Sequence, residues 1–364
     1  MKAMVLDRIT NMSEDETPLT GRDLPRPVPA AGEVLVRVSV CGVCHTELDE
    51  IEGRTPPPEL PIIPGHQVVG AVVECGEGAA LHEPGARVGV AWLYHACGRC
   101  EFCTSGRENL CQDFRATGRD ANGGYAEYMV VPEAFAFPIP EALEDDAEVA
   151  PLLCAGAVGY RSLRLTGLRS GYDGAARSRA GGNAATGAGR ALGLTGFGAS
   201  GHLVLTMARH LYPGIEVHVF ARNPGEREFA RELGAVWTGD TTDTPPRELD
   251  AVIDTTPAWK PVVEALRCLA PGGRLVVNAI RKEDADRSAL LGIDYDEHLW
   301  REKELKTVAN VTRADVTELL AFAARTPLRP TYQEYPLERA NEALLELKRG
   351  TIRGAKVLRI SKRS

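Results

Sequence analysis

The first part of the chain alternates polar and apolar positions in short segments that glycine and proline interrupt. Residues 33–40, with the sequence EVLVRVSV, show this period of two, which is typical of a half-buried β-strand. We therefore predict that residues 1–156 form a β-rich domain.

From residue 191 onwards the pattern changes to apolar strands that alternate with helical segments. The predicted strands cover 191–195, 216–220, 251–254 and 274–278, and the predicted helices between them cover 225–233 and 260–269. Repeated strand–helix units favour a parallel, doubly wound sheet. We place this α/β domain at residues 157–296.

The end of the chain carries a helical pattern at 337–349 and a strand pattern at 355–360. We expect residues 297–364 to return to the first domain and complete it. One segment, 170–190, is rich in Gly, Ala and Arg and has no hydrophobic period. We interpret it as a flexible surface insertion.

Length and composition limit the classes of protein to consider. A chain of 364 residues is longer than a typical single domain with one hydrophobic core. No apolar run approaches the ~18 residues of a membrane span. An acid at Asp7 argues against a signal peptide, so we expect a cytoplasmic protein. The net charge of −8 argues against a nucleic-acid partner, and a small-molecule partner is expected.

Nine cysteines in a reducing compartment indicate metal binding before disulfides. The clearest set is Cys97, Cys100, Cys103 and Cys111. Four thiolates at this spacing can converge on one Zn²⁺ and leave no position for substrate, which is typical of a structural zinc site. One alternative is that the four cysteines are buried independently and share no function. Another is an iron–sulfur cluster, but the spacing differs from that of the ferredoxins.

A looser set consists of Cys44, His66 and Cys154. A histidine in the sequence PGHQ is more often structural than a ligand, and a cysteine in PLLCAG is more often a core residue. Spacing alone does not join these three residues into one site.

A glycine motif follows the predicted strand at 191–195 and opens a helix. Gly196 can form the tight turn, Gly198 lets a pyrophosphate approach, and Gly201 permits close helix packing. Ala199 and Ser200 lie between them, at the start of the helix. In this context the motif predicts a dinucleotide site.

The next predicted strand ends at Ala221 and Arg222, where NAD-binding domains normally carry an acid for the ribose. A guanidinium can bind a 2′-phosphate instead. We therefore predict NADP(H) in preference to NAD(H). The alternative is that Arg222 is solvated and that both dinucleotides are accepted.

The segments 42–49, 64–70 and 153–156, together with the four-cysteine lobe, occur in the order and spacing of the medium-chain zinc alcohol dehydrogenases. With the nucleotide domain and the tail, the resemblance covers nearly the whole chain. It implies a GroES-like catalytic domain joined to a Rossmann domain, and a homodimer or homotetramer. The implied reaction moves a hydride between a primary or secondary alcohol, or its aldehyde or ketone, and NAD(P).

The same resemblance implies roles for individual residues. Cys44, His66 and Cys154 would hold a catalytic Zn²⁺ with an open fourth position, so that each chain carries two zinc ions. Thr46 would begin a proton relay, and His45 would face the cofactor pyrophosphate.

Two residues depart from the commonest family pattern. Gln67 stands where many members have a glutamate, and we consider it as a neutral zinc ligand or as a residue that supports the ligands. Asp49 stands where many have a relay histidine, so it either passes protons or is a solvated acid.

Two other functions stay open at this point. One is the zinc-free quinone reductase branch of the same superfamily, which the metal-ligand set argues against. The other is a catalytically silent protein that binds zinc and a nucleotide.

Overall fold

The computed structural model describes residues 1–168, 189–350 and 354–361. The predicted insertion at 170–190 lies outside these residues, apart from its last two positions. The chain divides into unit 1, Met1–Ala157 with Asn310–Ser364, and unit 2, Val158–Ala309. In the described parts of the chain, no helix has the length and apolar character that a bilayer crossing requires.

The secondary structure elements are numbered here in chain order. The strands are β1 (Lys2–Leu6), β2 (Leu19–Asp23), β3 (Glu33–Val43), β4 (Val68–Cys75), β5 (Arg87–Val90), β6 (Leu93–His95), β7 (Arg115–Ala116), β8 (Tyr128–Pro132), β9 (Ala136–Pro138), β10 (Ala191–Thr195), β11 (Glu216–Phe220), β12 (Trp237–Gly239), β13 (Leu249–Asp254), β14 (Leu269–Val277), β15 (Glu304–Thr307), β16 (Tyr332–Pro336) and β17 (Ala355–Arg359). The α-helices are α1 (His45–Ile51), α2 (Glu101–Thr104), α3 (Asp146–Val149), α4 (Ala155–Leu165), α5 (Ala199–Leu211), α6 (Pro224–Glu232), α7 (Lys260–Cys268), α8 (Arg313–Ala323) and α9 (Ala340–Lys348).

Unit 1 is built around the long strand β3. This strand pairs antiparallel with β4, β8 and β17, in a sheet with the order β16-β17-β3-β4-β5-β9. Its apolar residues Val34, Val36 and Val38 are fully buried in the core of the unit. The alternation read from residues 33–40 therefore marks the strand on which this unit is assembled, and β3 ends immediately before Cys44.

Unit 2 contains a sheet of six parallel strands within the described residues, in the order β12-β11-β10-β13-β14-β15. The chain order of the strands reverses between β10 and β13. In open parallel sheets, ligands bind outside the carboxyl ends of the strands at such a switch point. Thr195 and Asp254 are paired there as the last residues of the two strands.

The structure differs from the sequence-based boundary at 297. The chain returns to unit 1 at Asn310 instead, because residues 304–307 form β15 and pair with β14. All four residues of β15 have exposed side chains. An edge strand of this kind carries no apolar alternation that would reveal it in the sequence.

Candidate active site

Three metal-binding side chains that lie far apart in the sequence meet in unit 1. Cys44 joins β3 to α1, His66 precedes β4, and Cys154 precedes α4. Their donor atoms lie within 4.8 Å of one another, and the two sulfur atoms are 3.9 Å apart. His66 is almost completely buried. The fold therefore assembles the set that the sequence spacing alone left unconnected.

Glu47 fixes the orientation of the histidine. One carboxylate oxygen lies 2.6 Å from Nδ1 of His66, and the other accepts the backbone N–H of Cys44 at 2.7 Å. The opposite ring nitrogen of His66, Nε2, is buried and has no hydrogen-bond partner in the described protein. A carboxylate on one ring nitrogen and a free second nitrogen is the arrangement of a zinc-binding histidine.

The donor set fits Zn²⁺ in chemistry and in spacing. Zinc–sulfur bonds of about 2.3 Å in a tetrahedron place two sulfur atoms about 3.8 Å apart, whereas a disulfide would bring them to about 2.05 Å. The contact with Cys154 holds the pKa of Cys44 well below its usual range, with smaller contributions from His66. Two sulfur atoms and one imidazole nitrogen leave a fourth coordination position for another ligand.

The four-cysteine lobe has the same geometry. Sγ of Cys103 lies 3.9 Å from that of Cys97 and 3.5 Å from that of Cys100, and all four sulfur atoms, including that of Cys111, lie within 4.8 Å of one another. Backbone N–H groups of Arg99 and Cys100 lower the pKa of Cys97 to about 6. Four sulfur donors fill a tetrahedral shell, which suits a structural zinc ion.

Two residues of α1 predicted to act near the metal lie beside Cys44. The hydroxyl of Thr46 is buried and lies 3.7 Å from Sγ of Cys44. The side chain of His45 is exposed. Thr46 is thus within reach of a ligand on the metal set, and the imidazole of His45 is accessible from solvent.

The structure places Asp49 in an ion pair. Its buried carboxylate lies 2.6 Å from Nε of Arg54, so it is not a solvated surface acid. Gln67 is also buried, and its amide packs against Gly42 of β3, where an added Cβ would lie 2.6 Å from Oε1. Asp49 and Gln67, the two residues that depart from the family pattern, are therefore both buried in unit 1.

The glycine motif forms a turn between β10 and α5, as predicted. Gly196 has a φ of +78°, a conformation that favours glycine. A Cβ on Gly201 would lie 2.8 Å from the carbonyl oxygen of Gly196. Ala199 and Ser200 begin α5, and Gly198 is exposed just before it. The turn leaves the start of a thirteen-residue helix open to an anion.

Arg222 follows the end of β11, and its side chain is exposed. Glu226 lies one helical turn further, in the first turn of α6. Burial raises the pKa of Glu226, while the backbone N–H of Phe197 and the charge of Arg222 oppose this shift. The region expected to meet the ribose thus carries charges of both signs.

Sequence reasoning did not single out several buried polar groups of unit 1. Glu47 could have been found, because an acid three residues after a helix N-cap is a recognised pattern. The carboxyl of Glu50 is buried and interacts with the indole of Trp92, and the hydroxyl of Tyr125 is buried without a hydrogen-bond partner in the described protein. Burial and the charge of Glu47 raise the pKa of Glu50 well above its usual range. No sequence pattern marks Glu50 or Tyr125, whereas Trp92 is noticeable from its place just before the four-cysteine lobe.

Two family models match the chain. They are an alcohol dehydrogenase GroES-like domain over residues 30–141 and a zinc-binding dehydrogenase over residues 199–325. "Probable alcohol dehydrogenase AdhA" of Mycobacterium tuberculosis is 43% identical over 342 residues, which cover 93% of this chain and 91% of that protein. The chain belongs to the zinc-dependent alcohol dehydrogenase family.

Other members agree with this assignment. An alcohol dehydrogenase of Geobacillus stearothermophilus is 33% identical over 369 residues, with 99% of both chains covered. The solved structure of an alcohol dehydrogenase from Aeropyrum pernix matches with a TM-score of 0.81 at 23% identity, and covers 99% of this chain and 100% of that one. At this identity the solved structure shows the fold alone.

The predicted fold class, a GroES-like β-rich domain with a Rossmann domain, is confirmed. The predicted reaction class is confirmed as well, and the chain is an NAD(P)-dependent alcohol oxidoreductase of the zinc type. These relatives favour the alcohol dehydrogenase over a zinc-free quinone reductase or a silent binding protein.

We expect Glu47→Gln to weaken zinc binding at the Cys44 set by about 10- to 100-fold, because the amide no longer fixes His66 as a carboxylate does. Zinc retained per chain after competition with a chelator measures this. Glu52→Gln is the matched control, since Glu52 follows the same helix and pairs with Lys348 and Arg54 but contacts no metal ligand. Equal zinc retention by Glu47→Gln and the wild type would contradict the expectation.

Proposed function

We propose that the chain binds two zinc ions and that Cys44, His66 and Cys154 form its catalytic metal site. The observation that carries the proposal is the buried, unpartnered Nε2 of His66, held beside two cysteine sulfurs by Glu47. Three protein donors are the usual number in a catalytic zinc site. Cys97, Cys100, Cys103 and Cys111 provide the second, structural site.

The proposed reaction interconverts a primary or secondary alcohol and its aldehyde or ketone. The Cys44 set would hold a zinc ion that supplies Lewis-acid chemistry towards a substrate oxygen, and the glycine turn would hold a nicotinamide cofactor for the hydride. The residues of the chain fix the donors and handle the proton. Glu47 holds His66 in the ligating orientation, and burial of the set strengthens its electrostatic interactions.

Thr46 is the residue we assign to proton transfer from the substrate hydroxyl. Its hydroxyl can donate and accept a hydrogen bond, and it lies 3.7 Å from Sγ of Cys44. Asp49 was the second candidate for this relay. Its ion pair with Arg54 favours a structural role, so the proposed relay begins at Thr46 and does not require Asp49. Gln67, which is neutral, is assigned to support of the site.

For the cofactor we propose NADP(H) in preference to NAD(H). The motif Gly196, Gly198, Ala199, Ser200 and Gly201 would hold the pyrophosphate at the start of α5. His45, whose side chain is exposed, is the further cofactor residue that the family resemblance implies. Arg222 would bind the 2′-phosphate, because an exposed guanidinium replaces the usual acid at the end of this strand.

Wild-type protein is expected to contain two zinc ions per chain and to oxidise NADPH in the presence of aliphatic or aromatic aldehydes. Cys44→Ser should retain one zinc ion and a near-native melting temperature but lose turnover. Cys100→Ser should instead lower the melting temperature, because the structural site stabilises the fold. Zinc analysis, thermal melts and NADPH absorbance check these outcomes, and turnover by Cys44→Ser would contradict the catalytic assignment.

Arg222→Ala is expected to raise the KM for NADPH by about tenfold, the loss of roughly 1.4 kcal/mol of charge-assisted binding. The KM for NADH should change by less than about twofold, since NADH has no 2′-phosphate. Glu226→Gln is the control, because it removes a nearby charge of the opposite sign and should not raise the KM for NADPH. Equal effects of Arg222→Ala on both dinucleotides would refute the contact.

We further propose a cytoplasmic protein that forms a homodimer or homotetramer. The described cysteines are free thiols, and both zinc sites need them reduced, as in the cytoplasm. For assembly, β15 lies at the edge of its sheet and carries the exposed Leu305. The chain before β15 carries four further exposed apolar side chains, namely Leu291, Tyr295, Leu299 and Trp300. Exposed edges and apolar patches of this kind are places where chains associate.

Leu305→Lys in β15 is expected to shift the protein towards the monomer in analytical ultracentrifugation, because a lysine on an edge strand opposes pairing with another chain. Val28→Lys is the matched control, since Val28 is equally apolar and 79% exposed but belongs to unit 1. A monomeric wild type, or an unchanged assembly in Leu305→Lys, would contradict an interface at this edge.

A further inference from the structure

Three segments that leave neighbouring strands of unit 2 meet at one buried aspartate. Asp254, the last residue of β13, is fully buried. Its Oδ1 accepts the hydroxyl of Thr195, the last residue of β10, at 2.5 Å and that of Thr256 at 2.8 Å. The backbone N–H of Asn278, just after β14, donates to the carbonyl oxygen of Asp254 at 2.9 Å. Asp254 thus links the carboxyl ends of β10, β13 and β14.

Lys282 supplies the opposite charge. Its side chain is only 10% exposed, and its ammonium forms an ion pair with Oδ2 of Asp254. It also donates to the carbonyl oxygens of Thr256 at 2.8 Å and Ala258 at 3.0 Å. A lysine ammonium has three N–H donors, and each has an acceptor here. Lys282 therefore connects the segment after β14 to the segment after β13.

The segment that Lys282 holds rests on the glycine turn. A Cβ on Gly196 would lie 2.8 Å from the hydroxyl of Thr255 and 2.9 Å from Cγ2 of Thr256. Thr255 is fastened to β10 as well, because its backbone N–H donates to the carbonyl oxygen of Thr195 at 3.0 Å. Residues 255–256 are thus a wall against which Gly196 packs with no space for a side chain.

We propose that Lys282 and Asp254 are positioning residues for the dinucleotide: together they hold residues 255–258 against Gly196 and so set the shape of the glycine turn. This inference rests on the proposed dinucleotide site at that turn. The pair would shape the turn that binds the pyrophosphate, a group that NADP(H) and NAD(H) have in common. Loss of the pair should therefore weaken both dinucleotides alike, in contrast to loss of Arg222.

Lys282→Met alone would leave the Asp254 charge buried without a cation, and an uncompensated buried charge endangers folding. The test variant is therefore the double substitution Asp254→Asn/Lys282→Met, which removes both charges and keeps similar side-chain volumes. Its dissociation constants for NADPH and NADH, measured by fluorescence titration, are expected to rise about tenfold or more, because small misplacements of binding groups have effects of this size. Zinc content and the KM for the alcohol should stay within about twofold of the wild type.

Lys303→Met is the matched control. Lys303 is a half-buried lysine of unit 2, and its ammonium donates to three backbone carbonyls, those of Leu266, Arg267 and Glu297. It makes no contact with residues 255–258 among the hydrogen bonds of the described chain. Lys303→Met should lower the melting temperature and leave both dissociation constants unchanged, which separates a positioning role from a loss of stability.

The outcomes distinguish this inference from the proposed function. A folded double variant that binds both dinucleotides as the wild type does would overturn it, as would equal losses in dinucleotide binding, alcohol KM and zinc content. A wild type that binds dinucleotide but reduces no aldehyde would count against the proposed function and leave the binding test of Lys282 intact. A wild type that binds neither dinucleotide would overturn both.

Discussion

Mutual repulsion of cysteine sulfurs is the constraint on which unit 1 depends. Two thiolates about 4 Å apart repel each other by roughly 4 kcal/mol at an effective dielectric constant of about 20. The lobe holds four sulfur atoms at such distances, and the Cys44 set holds two beside Glu47. Protonation of one thiol removes this cost for its neighbour, whereas a bound cation would remove it for all of the thiolates together. The sulfur positions match the edges of a zinc tetrahedron, as the proposed metal sites require.

The pKa values of the individual cysteines reflect how close their sulfur atoms are. Backbone N–H donors lower the pKa of Cys97 to about 6, whereas burial and its cysteine neighbours raise the pKa of Cys103 to about 12. In the other set, the pKa of Cys44 falls while that of Cys154 rises. One sulfur in each set takes the negative charge at the expense of its neighbour. A divalent ion lets both take it, so metal binding and deprotonation are coupled.

The local parts of this arrangement could be read from the sequence, and the non-local parts could not. The lobe spans fifteen positions, and its spacing alone indicated a tetrahedral site. Cys44 and Cys154 are 110 residues apart, so only family resemblance joined them. The Asp254–Lys282 pair spans 28 residues and has no motif. The polar strand β15 was missed for a related reason, because neither its pattern nor its spacing separates it from a loop.

Two buried carboxylates, those of Glu47 and Asp254, orient residues that belong to other segments of the chain. Glu47 orients His66 and accepts the backbone N–H of Cys44. The carboxylate of Asp254 accepts the hydroxyls of Thr195 and Thr256 and pairs with Lys282. The neutral side chain of Gln67 is consistent with the negative charge already buried in this part of unit 1. A carboxylate at that position would add negative charge next to His66, which already contacts the buried carboxylate of Glu47. An amide keeps the hydrogen-bonding capacity without that charge, so glutamine at this position leaves less repulsion for a cation in the proposed site to offset.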